Sequence, residues 1–199
     1  MNKLLPALAT AVLVAAATAG CGGSGAGSGQ HGLSSSEQKV ADHMSSYLAK
    51  NGNGSISKKD AQCIAEGWVG RSGVPTLKKN KVLTGSGQVN TSSNTRITKP
   101  MASDYADALL DCIDYAKLQS QAVAKVNPGI DAKKMADCFG KAMPRTDEKQ
   151  LLVSTMTGNA SSQLASKNAE AIKTCQQQAQ QGSPQKANPQ KGNQQKGNQ

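Results

Sequence analysis

Apolar residues recur at intervals of three and four along most of the chain, and this spacing predicts helices. Runs of alternating β-branched residues are scarce, which argues against a sheet. The longest predicted helix carries Tyr105, Leu109 and Ile113 on one face. The sequence therefore predicts an all-α protein with helices over residues 36–50, 58–70, 103–126, 131–143, 146–157 and 159–178.

The helical pattern occurs twice. Residues 48–63 align without a gap to residues 123–138, with seven identities in 16 positions that include a glycine and a cysteine. Further on, "ADALLDC", which ends at Cys112, resembles "AEAIKTC", which ends at Cys175. Each copy reads as helix, turn, cysteine-bearing helix, connector and second cysteine-bearing helix, which indicates a tandem duplication. The predicted repeats are residues 35–126 and 127–180.

The repeated turn resembles a calcium-binding loop of the EF-hand family. In residues 48–63 the resemblance rests on Gly54 as the turn glycine and Asp60 as the last acid. Calcium loops supply three or more carboxylates, whereas this stretch supplies one, and the second copy keeps only the glycine. We interpret both copies as a chain reversal before a helix, with Ser57 and Asp131 as N-caps.

Residues 71–100 interrupt the first repeat and have no counterpart in the second. They are rich in Ser, Thr, Asn and Lys and show no helical period. A small hairpin is predicted around Gly85 and Gly87. A long insertion of this kind is either a place where a partner binds or a surface loop, and of the two we expect the surface loop.

The N-terminus indicates secretion. Residues 1–20 combine one basic residue with an apolar run that ends in small residues, the pattern of a signal peptide. "TAGC", which ends at Cys21, resembles the lipobox of bacterial lipoproteins, whose cysteine sulfur receives a diacylglyceryl group. The resemblance implies a lipid anchor at Cys21 on the outer face of the cell membrane, followed by a flexible Gly/Ser spacer over residues 21–34. Cleavage after Ala19, leaving a free thiol, and a retained membrane helix remain as alternatives.

The C-terminus is a basic tail. Residues 181–199 contain "QKANP" and two copies of "QKGNQ", a composition that predicts disorder. The whole chain carries a net charge of +10, which suits anionic partners such as lipid or a cell-wall polymer. For the tail, a solvated segment without a specific partner is the simpler interpretation. Nucleic acid is not an expected partner outside the cytoplasm.

The cysteine count agrees with an oxidising compartment. The chain has five cysteines, and acylation of the first leaves an even number. Duplication favours pairing within each copy, while pairing across the copies stays open. The four cysteines expected in disulfides are Cys63, Cys112, Cys138 and Cys175.

Groups suited to catalysis or metal binding are sparse, so neither a cofactor nor a metal is predicted. There is no CxxC motif, and His43 is the only histidine between the spacer and the tail. A solvated His43 is expected, which leaves a hydrolase as the weakest hypothesis. Four acids lie at three- and four-residue spacing: Asp104, Asp107, Asp111 and Asp114. We interpret them as a solvent-facing stripe, with ion pairs to Lys117 or to a basic partner as the alternative.

The residues after the signal peptide resemble uncharacterised lipoproteins of high-G+C Gram-positive bacteria, through the lipobox and "CIAEGWVGRSG" at residues 63–73. That resemblance implies an envelope location and no particular activity. We therefore expect a non-catalytic binding or structural module of the cell envelope, with an unknown protein among its partners. The alternative is a carrier of an apolar ligand, in a cavity lined by residues such as Leu109, Ile113, Phe139 and Leu152.

Overall fold

The computed structural model describes residues 32–52, 56–92, 95–159 and 161–180. Within these ranges the regular structure is helical apart from one isolated β-bridge, which confirms the predicted all-α class. The signal peptide, Cys21, most of the spacer and the tail lie outside the described residues. In chain order the helices are α1 (Ser35–Asn51), α2 (Lys58–Ser72), α3 (Val74–Lys79), α4 (Lys99–Cys112), α5 (Tyr115–Val126), α6 (Ala132–Ala142), α7 (Arg145–Thr157) and α8 (Ser162–Gln180).

Side-chain caps begin the helices that follow both copies of the repeated turn. The hydroxyl of Ser57 accepts a hydrogen bond from the backbone N–H of Asp60 at 3.1 Å. Asp131 accepts from two N–H groups in the first turn of α6, at 3.0 and 3.1 Å. Helix α1 begins with a full capping box formed by Ser34 and Glu37. Such caps satisfy N–H groups that have no partner inside the helix, so both predicted N-caps are confirmed.

The single long helix predicted over residues 103–126 is wrong. The structure has two helices there, because Ile113 adopts an extended backbone with φ −129° and ψ 135°. The next residue, Asp114, caps α5 by accepting a hydrogen bond from the backbone N–H of Lys117 at 2.9 Å. An aspartate side chain offers the backbone this alternative to a continuous helix. The apolar period runs on across the break because both helices bury one face.

The helices form two units, each with its own apolar core. In the first, α2 lies between α1 and α4, and the ring N–H of Trp68 donates to the backbone carbonyl of Met101 at 3.2 Å. In the second, Phe139 and Met135 of α6 are fully buried against α5 and α8. Helix α5 therefore packs on α6 as α1 packs on α2. The predicted repeat boundary at residue 126 would separate α5 from α6. The helices that pack together lie instead within residues 35–112 and residues 115–180.

One disulfide closes each unit. Cys63 of α2 is bonded to Cys112 of α4, with their Cα atoms 5.8 Å apart. Cys138 of α6 is bonded to Cys175 of α8, with a Cα separation of 5.5 Å. The pairing within each copy is thus confirmed. One helical turn from the first disulfide, Gly67 faces Ala108 so closely that a Cβ on Gly67 would lie 3.0 Å from the alanine Cβ.

A third apolar cluster and a set of ion pairs join the two units. Leu109 and Leu110 of α4 are buried in this cluster, and Leu152 of α7 packs against it. Beside it, Asp111 forms ion pairs with Arg71 at 2.6 Å and with Arg145. The guanidinium of Arg145 also donates to the backbone carbonyl of Leu110 at 2.6 Å. Helix α4 therefore belongs to the first core and also forms the surface on which α7 packs.

The predicted acidic stripe faces solvent in part and also makes contacts with other helices: Asp111 and Asp114 are exposed, whereas Asp104 and Asp107 are half-buried. Asp104 accepts a hydrogen bond from the hydroxyl of Ser72 at 2.7 Å. Asp107 pairs with Lys149 of α7 at 2.7 Å. These groups are partly exposed, so each pair stabilises the protein by about 1 kcal/mol or less. The pairs of Asp107 with Lys149 and of Asp111 with Arg145 set the position of α7 against α4, whereas the Asp104 contact joins α4 to α2.

Glu148 is a buried carboxyl group at the start of α7, 7% exposed. Burial raises its pKa above the ordinary 4.5, and the nearby charge of Asp114 adds to this effect, while the Arg145 guanidinium lowers the pKa. The folded protein therefore holds this proton more tightly than the unfolded chain does. The contribution of Glu148 to stability is fully present below pH 4.5 and is lost as the pH rises through the raised pKa.

Removal of the second disulfide should lower stability strongly. For Cys138→Ala/Cys175→Ala we expect a loss of about 4 kcal/mol in the free energy of unfolding, because the open chain gains conformational entropy. Urea unfolding under oxidising conditions measures the loss. Cys21→Ala is the control, because it changes a cysteine and no bridge. A double variant that unfolds at the wild-type urea concentration would contradict the role given to this disulfide.

Glu148→Gln should change how stability depends on pH. As the pH rises from 4.5 through the raised pKa of this carboxyl group, the wild type loses stability and the variant does not. The difference in unfolding free energy, variant minus wild type, should therefore increase over that window. Urea unfolding across the pH range measures it, with Glu170→Gln, an exposed glutamate on α8, as the matched control. Parallel profiles for wild type and Glu148→Gln would show that burial does not perturb Glu148.

Candidate anion-binding surface

The insertion at residues 71–100 is built into the first core, so the expectation of a surface loop without a helix is wrong. It contains α3, which follows Gly73 at a backbone φ of 73°. Three of its side chains are buried in the cluster that α1, α2 and α4 form: Leu77, Val82 and Leu83. The spacing of these three residues in the sequence does not match one face of a helix, so it gives no helical period. All three side chains nevertheless point into the core.

The predicted hairpin is present. An antiparallel bridge pairs Leu83 with Val89. The N–H of Thr84 donates to the carbonyl of Gln88 at 2.8 Å, and the N–H of Asn90 donates to the carbonyl of Val82 at 2.8 Å.

The hairpin packs closely on α1 through a glycine. Gly87 has a backbone φ of 85°, and a Cβ on it would lie 3.1 Å from the Val40 Cγ2 atom. The position favours glycine for two reasons, the left-handed backbone and the lack of space.

Lys81 holds an unusual backbone conformation at the base of the hairpin. Its φ is 58°, the one positive value among the non-glycine residues that the structure describes. Its carbonyl accepts hydrogen bonds from the side chains of Asn90 at 2.9 Å and Thr95 at 3.2 Å. The N–H of Arg96 donates to the carbonyl of Asn80 at 3.0 Å. These bonds bring residue 96 beside residue 81, and a left-handed lysine persists only when its surroundings enforce it.

The insertion presents positive charge without compensation. Between Glu66 and Asp104 the sequence has six basic residues and no acid. Arg71 is neutralised by Asp111. The other five are exposed and have no carboxylate partner in the described part of the chain; we call them the basic surface: Lys78, Lys79, Lys81, Arg96 and Lys99. Such a surface raises the local concentration of anions.

No other group forms a clear site. His43 is exposed on α1, and no hydrogen bond joins it to a hydroxyl or carboxylate within the described ranges. Among the residues placed by the structure, no group of three or more His, Cys, Asp and Glu is arranged to hold a metal ion. None of the described helices is both long and apolar enough to cross a membrane.

Two open grooves lie along the helices. One, of about 590 Å³, runs beside the second disulfide and is lined by polar residues including Lys134, Asp137 and Thr174. The other, of about 560 Å³, lies between α1 and α2 and is lined by residues including Ser45, Lys50 and Gln62. Both have mixed polar linings and are open to solvent.

The residues proposed to line an apolar cavity are not gathered around one. Leu109, Ile113 and Leu152 pack in the cluster between the units, whereas Phe139 is buried in the core of the second unit. This separation does not favour a carrier of an apolar ligand.

No protein-family model matches the chain, and no curated protein or solved structure is detectably similar to it. The function must therefore be argued from the residues themselves.

Gly87→Ala should loosen the insertion from α1. The new methyl group meets Val40 and the left-handed backbone disfavours any L-residue, so we expect a loss of about 1–2 kcal/mol in unfolding free energy. Gly85→Ala is the matched control, because a Cβ there meets nothing within 4 Å. Urea unfolding gives the loss, and hydrogen exchange at the N–H groups of Thr84 and Asn90 locates it. Equal stability of the two variants would contradict the close packing of the hairpin.

Proposed function

We propose that this chain is a lipid-anchored extracytoplasmic protein that binds another component of the cell envelope and catalyses no reaction. The observation that carries the binding role is the basic surface, held by a hairpin that is packed into the core and by a strained lysine. A purely structural part would not need five exposed cations, none with a carboxylate partner in the described residues, on a segment packed into the core. Exposed charge on a segment that is packed into a core is typical of recognition.

The location rests on two independent supports. Both disulfides lie in stable helical units, and such bonds persist in oxidising compartments outside the cytoplasm. The lipobox-like "TAGC" adds the membrane tether at Cys21, because acylation at a cysteine with two or three chains anchors a protein firmly.

Partners follow from this location and from the charge. The proposed partner carries negative charge, as lipid headgroups and many wall polymers do. The tail at residues 181–199 is proposed as an additional weak contact with the same class of anion, through three lysines.

Cys21→Ser should release the protein from the membrane. Without the acylated cysteine, most of the chain is expected to leave the membrane fraction when cells are washed with concentrated salt, which screens charge contacts. Fractionation followed by immunoblotting measures this, and Cys138→Ser/Cys175→Ser is the control for loss of other cysteines. A wild-type chain found in the cytoplasm with free thiols would refute the proposed location.

Binding is tested separately in intact cells. A photoreactive amino acid at Gln88, on the hairpin, should form crosslinks to an envelope component, whereas one at Gln121, exposed on α5, should not. Equal crosslinking from both positions, or none from either, would contradict a binding role for the insertion.

A further inference from the structure

The segment that leads out of the proposed tether enters the fold beside the insertion. Gly87 at the hairpin tip lies against Val40, whose position is six residues after Ser34. Six residues span about 9 Å along a helix. Leu33, just before α1, packs against the same core cluster as Val89 of the hairpin. The insertion that carries the basic surface therefore packs on the first half of α1, the helix that follows the spacer.

The spacer is short enough to keep that end near a membrane. About a dozen Gly/Ser-rich residues separate Cys21 from Leu33, and a flexible chain of that length has a root-mean-square span of about 20 Å. Electrostatic attraction acts over about 8 Å at physiological salt. The span of the tether exceeds this range, so the tether does not itself press the surface onto the headgroups, but it raises the effective concentration at which the two meet.

The chemistry of the basic surface fits a lipid surface better than a protein partner. Four of its five cations are lysines, which act as mobile point charges rather than as the planar forks that bind a single carboxylate. The large exposed hydrophobic residues in the described ranges, Tyr47 and Val126, both lie outside the insertion. Protein interfaces depend on buried aromatic and apolar anchors, which this surface does not offer.

We infer that the basic surface docks the first helical unit onto the anionic phospholipid membrane to which the chain is tethered, so that the insertion faces the lipid and the second unit projects away from it. This geometry rests on the proposed lipid anchor, whereas the affinity of the surface for anionic lipid does not depend on it. Docking is electrostatic, because the described part of the insertion has no large exposed hydrophobic side chain to insert into the bilayer. It therefore weakens as salt increases.

The test uses the full chain carrying Cys21→Ser, so that no acyl chain contributes. Its binding is measured by co-sedimentation with vesicles of phosphatidylcholine, with and without phosphatidylglycerol. The insertion variant adds Lys79→Gln, Lys81→Asn, Arg96→Gln and Lys99→Gln, with asparagine at residue 81 because it tolerates a left-handed backbone. The matched control adds glutamine at four exposed, unpaired lysines elsewhere: Lys125, Lys133, Lys134 and Lys141.

We expect the parent chain to bind the anionic vesicles more tightly than the neutral ones, and binding to fall as salt is added. Each cation near an anionic membrane strengthens binding about fivefold, so the insertion variant should lose about 100-fold or more in affinity. The control variant should lose less than about tenfold, although its net charge is the same. Any binding through the apolar residues 4–19 does not depend on lipid charge, so it appears equally with neutral vesicles. The tail is the same in every variant, so it does not cause a difference between them. Thermal melting checks that the variants remain folded.

Three results would overturn the inference. The first is an insertion variant that binds like its parent, and the second is a control variant that loses as much affinity as the insertion variant. The third is a parent chain that binds a soluble phosphodiester polymer but not anionic vesicles, which would assign the surface to a wall polymer. Because no acyl chain takes part, these results are independent of the Cys21 fractionation experiment, and either proposal can fail while the other stands.

Discussion

The close approach of two cysteine-bearing helices, closed by a disulfide, is the constraint on which each unit depends. Eight of the 25 buried hydrophobic residues are alanines, which bury little area each. Small side chains let helix axes come close, as Gly67 and Ala108 do one turn from the first disulfide. A covalent bridge then offsets what an alanine-rich interface lacks in apolar burial. The second unit has alanines at the corresponding positions, Ala142 and Ala171.

The insertion is part of the core of the first unit. The hairpin is not an appendage, because its apolar residues complete the core that α1, α2 and α4 share. Its backbone bonds bring Arg96 beside Lys81, so that cations distant in sequence lie on one support. Mutual repulsion of like charges costs stability. The buried leucines of the insertion and the bonds to the Lys81 carbonyl offset this cost.

The two units are joined by a mixed apolar and charged junction that centres on α4. Leu109 and Leu110 face the cluster between the units, and the carboxylates of the same helix pair with α7. These ion pairs are partly exposed, so they add little to the free energy of folding and mainly fix the position of α7 against α4. The buried carboxyl group of Glu148 lies at this junction, and burial raises its pKa. Asp107 and Asp111 of α4 therefore hold α7 in place, whereas the residues of the basic surface are exposed.

Local signals and duplication sufficed to predict the helical class, the N-caps at Ser57 and Asp131, the hairpin and both disulfide pairs. Each of these depends on neighbours in sequence or on a repeated pattern, which a single sequence displays. The break after Cys112, the packing of α5 on α6 and the burial of Leu77, Val82 and Leu83 were decided only by the tertiary structure. The physical reason is that apolar spacing shows that a face is buried, but it carries no information on which surface buries it. The partners of the α4 carboxylates depend in the same way on distances between elements far apart in the chain, and so does the lack of a carboxylate beside the insertion lysines in the described residues.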